Sequence, residues 1–165
     1  MVESEQILED RAKILLAADR SAQAETILAG LLAKHPNNSL YQEQMMRVLA
    51  GEGKFDQLVT TVGGILAKNP DDLPATYFRG LARLRQNPQD IDGALHDFKT
   101  VLKADPSHVD ARYWLAELYR QRNDWDSAID QVEQALAIQP TNKRVRLKLI
   151  ELNSTATPPR WNERP

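Results

Sequence analysis

The chain has 165 residues, of which 42% are hydrophobic and 27% charged, with 7 glycines, 9 prolines and no cysteine. That apolar content excludes a disordered chain, and the lack of cysteine excludes a disulfide framework, a zinc–thiolate centre and a thiol nucleophile. Its 21 Lys and Arg nearly cancel 23 Asp and Glu, so the net charge of −2 provides no basic field for nucleic acid or anionic lipid. The first residues, Met1-Val2-Glu3-Ser4-Glu5, are acidic where a secretory leader is positive. The apolar run Ile14 to Ala18 falls far short of the ~20 residues that span a bilayer. A soluble chain is expected, with the cytoplasm slightly favoured and no direct membrane insertion.

Along the chain the apolar residues recur at helical spacing. Ile7, Ile14, Leu15 and Ala18 form one stripe, Leu95, Phe98, Val101 and Leu102 a second, and Ile129, Val132, Ala135 and Leu136 a third. No stretch alternates cleanly, so strands lack support and the chain reads as all-α. Four prolines sit in like contexts: His35-Pro36-Asn37, Asn69-Pro70-Asp71, Asp105-Pro106-Ser107 and Gln139-Pro140-Thr141, at steps of 34, 36 and 34 residues. Each ends an apolar helical stretch and precedes small polar residues that start the next helix. A second break falls inside each period, at Asp19-Arg20-Ser21, Gly53-Lys54-Phe55, Asn87-Pro88-Gln89-Asp90 and Asn123-Asp124-Trp125. The unit is helix, short turn, helix, proline turn.

These features resemble the tetratricopeptide repeat family, whose unit of 34 residues carries a Trp-x2-Leu-Gly-x2-Tyr half followed by Ala-x3-Phe, Ala and Pro. Residues 109–142 match best, with Leu115, Ala116, Tyr119, Trp125, Ala128, Val132, Ala135 and Pro140. Residues 73–108 supply Gly80, Ala94, Phe98, Val101 and Pro106, with two extra residues in the Asn87–Asp90 turn. Residues 39–72 supply Leu49, Gly53, Phe55, Val62, Ile65 and Pro70, with Leu58 in place of the small alanine. Residues 5–38 supply Ala12, Leu15, Ala24, Leu28, Leu31 and Pro36. The large aromatic that usually opens a repeat is missing from all four.

The resemblance implies a right-handed α-solenoid of stacked helix-turn-helix repeats, drawn as a single domain over 1–153. Ala12, Gly80 and Ala116, with Ala24, Ala94 and Ala128 opposite, let paired helices approach closely. A repeat cannot bury its apolar face alone, so neighbours stack. A ninth helix over 143–153 is expected to cover the last repeat, turning Lys143, Arg144, Arg146, Lys148 and Glu151 to solvent. Residues 154–165, with Pro158, Pro159 and Pro165, read as a tail or linker.

No motif carries chemistry convincingly. His35, His96 and His108 have no ligand partner at i+4. Gly51-Glu52-Gly53-Lys54 lacks the first glycine, the Ser or Thr and the preceding strand of a phosphate loop. Asn37-Asn38-Ser39 and Asn153-Ser154-Thr155 are formal glycosylation sequons and nothing else in the chain supports a secretory route. The reading is non-enzymatic, with no cofactor, metal or nucleic acid partner.

In the family the first helix of each repeat lines a concave groove. Transferred here, that face holds Glu9, Asp10 and Lys13, then Glu43, Gln44 and Arg47, then Tyr77, Phe78, Leu81 and Arg85, then Tyr113, Trp114, Glu117 and Gln121. Exposed Tyr and Trp are typical binding hot spots; rings packed between helices are the competing reading. The Lys and Asn carboxylate clamp of chaperone-binding repeats is absent from the first two sets. The expected function is a protein-interaction module, an adaptor or co-chaperone-like domain. It holds a partner peptide through Tyr77, Phe78, Leu81, Arg85, Tyr113, Trp114, Glu117 and Arg47. The alternatives are a self-associating assembly scaffold and the repeat domain of a larger protein.

Overall fold

The computed structural model describes residues 4–86 and 90–155. Among them are nine helices and no strand: α1 (Glu5–Ala17), α2 (Ser21–Lys34), α3 (Ser39–Gly51), α4 (Phe55–Lys68), α5 (Leu73–Gln86), α6 (Ile91–Ala104), α7 (Val109–Gln121), α8 (Trp125–Ile138) and α9 (Lys143–Thr155). The chain is all-α, as the periodicity requires. Helices fall into two compact units, residues 1–89 and 90–165. The single repeat domain expected over 1–153 is a reading of the repeat register alone.

Two kinds of turn build the helix order. The proline turns are the same in each of four places: Asn38 N–H donates to His35 O at 3.1 Å, Asp72 to Asn69 at 3.2 Å, His108 to Asp105 at 3.2 Å and Asn142 to Gln139 at 3.1 Å. Proline at the second position presets the backbone for this turn. The fourth residue then caps the next helix, because its side chain accepts an amide three residues on. Asn38 takes Tyr41 N–H at 3.2 Å, Asp72 takes Ala75 at 2.9 Å, His108 takes Ala111 at 3.1 Å and Asn142 takes Val145 at 3.2 Å. One residue thus closes a turn and starts a helix.

The turns inside repeats end their first helix by a left-handed residue: Asp19 at φ 56°, Gly53 at φ 72° and Asn123 at φ 59°. The next amide reaches back five residues, Arg20 to Leu15, Lys54 to Leu49 and Asp124 to Tyr119, each at 2.9 Å. This paired bonding satisfies carbonyls that the helix leaves open. The turn at 87–89 lies outside the described residues.

In the first unit each helix packs on the next, and α3 also lies against α5. Its core holds Leu28, Leu31, Met46, Leu49, Val62 and Phe78. Leu58, where the family has a small residue, is fully buried in that core. In the second unit α6, α7, α8 and α9 pack in sequence, around Ala116, Ala128, Val132, Ala135, Val145 and Leu152. Ala12, Ala24, Gly80, Ala94, Ala116 and Ala128 are all buried, as the close-approach register requires. Fully burying a Leu or Val side chain contributes about 1.5–3 kcal/mol, so these stripes dominate the folding energy.

Two expectations are corrected. The last helix runs on to Thr155, because Ser154 and Thr155 return their hydroxyls to Glu151 O at 2.9 and 2.8 Å. Its outer face is not uniformly polar: Lys148 turns inward at 8% exposure, whereas Leu147 and Ile150 face out at 66% and 65%. The expected tail beyond Thr155, including Trp161, lies outside the described residues.

Candidate protein-interaction site

The two units present the expected lining residues separately. In the first, Tyr77 is half-buried and meets Phe78 edge-on, with ring centroids 5.2 Å apart. Phe78 is 4% exposed and belongs to the core, so it offers no ring to a partner. Leu81 is half-buried against that core, and Arg85 is exposed. Arg47 is exposed and pairs with Glu43 at 2.9 Å. Glu9 accepts the hydroxyl hydrogen of Tyr41. That bond, with burial and the nearby Glu9 and Glu5 charges, pushes the Tyr41 phenol up to about 12.

The second unit brings its residues together more tightly. Successive α7 residues Tyr113 and Trp114 stand at right angles, centroids 5.5 Å apart, and both are half-buried. The capping helix α9 lays two cations on them. Arg144 places its guanidinium carbon 3.8 Å from the Tyr113 ring centre and 5.3 Å from that of Trp114. The Lys148 ammonium lies 5.4 Å from the Tyr113 ring. Each such contact gives about 0.5–1 kcal/mol at an exposed site and more when desolvated.

One turn beyond Tyr113, Glu117 anchors the polar part. Lys148 Nζ donates to it at 2.9 Å and to Glu151 at 2.7 Å. Arg120 Nε donates to Glu117 at 3.1 Å. Burial pushes the Glu117 carboxyl up, but the bonds and charges of Arg120 and Lys148 outweigh it and hold the group down at about 2. Burial pulls Lys148 down, and bonds to Glu151 and Glu117 raise it above the ordinary lysine value. Glu117 is therefore a fixed anion whose charge is satisfied within its own chain. Arg144 also reaches Asp110 at 3.5 Å, with half its side chain still exposed.

Reading α7 alone missed Arg144, Lys148 and Arg120 as parts of this face. The signal was available, since Lys148 follows Glu117 by 31 residues, one repeat less a helical turn. Among the described residues no three His, Asp or Glu side chains are grouped to hold a metal ion. No described helix is long and apolar enough to cross a membrane.

Helix pairs stacked in a repeating register define an α-solenoid of helical repeats. The tetratricopeptide repeat family model matches residues 88–150. Among solved structures, a thermophilic tetratricopeptide repeat protein of Thermus thermophilus matches at TM-score 0.80 and 19% identity, covering 92% of this chain and 82% of that one. MamA of Desulfovibrio magneticus, from its residue 41 to the end, matches at TM-score 0.67 and 21% identity, covering 93% and 86%. A tetratricopeptide repeat protein of Parabacteroides merdae matches at TM-score 0.61 and 20% identity, covering 90% and 59%. No curated protein sequence matches this chain significantly. The family match over residues 88–150 and the likeness to these structures show a tetratricopeptide-type α-solenoid fold.

Proposed function

We propose that the chain is a non-enzymatic protein-interaction module that binds a partner peptide on the first-helix faces of its repeats. The observation that carries this reading is the Tyr113–Trp114 pair, half-buried on α7 and flanked by the half-exposed Arg144. A rigid aromatic pair loses little entropy on binding, and a neighbouring guanidinium fixes a backbone carbonyl or carboxylate. Trp114 and Tyr113 are the anchors and Arg144 sets polarity. Glu117 holds Lys148 and Arg120 in place rather than meeting the ligand. Tyr77, Leu81, Arg85 and Arg47 offer the matching surface of the first unit, and Phe78 supports Tyr77 from within.

Peptides selected from a displayed random library on the full chain test this reading. Trp114→Ala should weaken their binding by about 30-fold, the effect of losing a hot spot of ~2 kcal/mol. Phe78→Ala should instead lower stability by about 3–5 kcal/mol. Equal binding by the Trp114→Ala chain refutes the assignment. A second reading, a self-associating scaffold, is favoured by exposed apolar residues at the terminal helices.

A further inference from the structure

The repeat register shows what each first-helix position is for. In α3 one stripe, Tyr41, Met45 and Val48, is buried. In α7 the same stripe is Ala111, Leu115 and Leu118, also buried. Each of these helices packs on the one before it, α3 on α2 and α7 on α6. In α1 the stripe is Ile7, Arg11 and Ile14. Ile7 is 54% and Ile14 68% exposed. Isoleucine at both ends of an exposed helical face suits a stacking surface better than a solvated one.

The other terminal helix shows the complementary case. Position 116 in α7 and position 46 in α3 are buried, where the second helix of the pair packs. Their counterpart in α9 is Ile150, 65% exposed, one turn from the exposed Leu147. Among the described residues, nothing packs over either side chain. Lys143 and Arg146 flank them. The helix carries four basic residues to one acidic, whereas α1 carries three acidic to two basic.

We propose that a second copy of this chain docks head to tail, its Ile7–Ile14 stripe on the Leu147–Ile150 face of α9. Opposite charge balance favours this pairing, with Asp10 brought toward Lys143 and Arg146. A symmetric α9–α9 contact would instead oppose Lys143 and Arg146 of one copy to the same cations of the other, since Arg144 and Lys148 are paired with Asp110, Glu117 and Glu151 in their own chain. The contact is heterologous, so each copy keeps one free end. Two short helix faces form an interface below ~1,200 Å², which places the association among weak, concentration-dependent ones. The α7 face is not used, so this inference and the peptide-binding reading stand or fall separately.

Sedimentation of the full chain from about 10 μM to about 1 mM, the range of weak interfaces, tests it. The mean mass should rise above the monomer. Ile14→Asp and Leu147→Asp should each stay monomeric with unchanged helical content. An equimolar mixture of the two should form a dimer and nothing larger, because one variant keeps only the α9 face and the other only the α1 face. Three results overturn the proposal: a monomeric wild type at every concentration, assembly by either variant alone, or a mixture that stays monomeric. If only deletion of residues 156–165 allows assembly, the chain's own last residues occupy the face, and the proposal also fails.

Discussion

The left-handed turn residues allow a quantitative test of how the repeats are joined. Asp19, Gly53 and Asn123 occupy one structural position, yet only one is glycine. A side chain in this conformation costs about 1–2 kcal/mol for ordinary residues and less for Asn and Asp. A Cβ built on Gly53 would meet only Phe55 Cε2, at 3.8 Å, an ordinary contact. The penalty of Gly53→Ala is therefore a backbone one, about 1 kcal/mol net of the entropy that alanine removes from the unfolded chain. Asn123 is exposed, so Asn123→Gly should relieve strain and gain about 0.5 kcal/mol. With a urea slope of about 1–3 kcal/mol/M, Gly53→Ala should lower the unfolding midpoint by roughly 0.3–1 M. Asn123→Gly should raise it by a smaller amount. Far-UV circular dichroism against urea reads both. A neutral Gly53→Ala, or an Asn123→Gly that destabilises, refutes the turn geometry.

Ala128 has no exposure, so Ala128→Leu should cost about 1–3 kcal/mol by overpacking, while Ala137→Leu on the exposed face of α8 changes the midpoint little; equal shifts would refute the repeat phase. The Glu117 carboxyl is held at about 2 in the fold against an ordinary 4.5. Its contribution is therefore present above pH ~4.5 and lost as pH falls toward ~2, because the unfolded chain takes up the proton first. Denaturation of Glu117→Gln across that range should show a shallower acid loss than the wild type; parallel curves would refute the pairing.

Much of the fold is local and so legible in the sequence. Pro36, Pro70, Pro106 and Pro140 preset their turns, and Asn38, Asp72, His108 and Asn142 cap helices within three residues of themselves. The burial of Ala24 or Ala128 follows from helical phase. Legibility fails where a side chain's direction depends on another repeat. Lys148 reads as a solvated lysine until Glu117 is placed beside it. Phe78 and Tyr77 are neighbours in sequence on an amphipathic helix, and only the packing of α5 decides that one ring enters the core. Leu147 and Ile150 carry no local sign that the face they occupy is open.

The proline joints have a consequence for how such a chain can change length. Each is made by hydrogen bonds among residues close in sequence, with a cap residue at its end. Excising residues 39–72 would bring Asn38 directly before Leu73, and Asn38 would take over the capping role of Asp72 without a new turn. An excision a few residues longer or shorter would break the turn or rotate every downstream stripe around its helix. The joint therefore makes whole repeats the natural unit of insertion and loss, and it sets the reading frame in which recombination leaves a foldable chain.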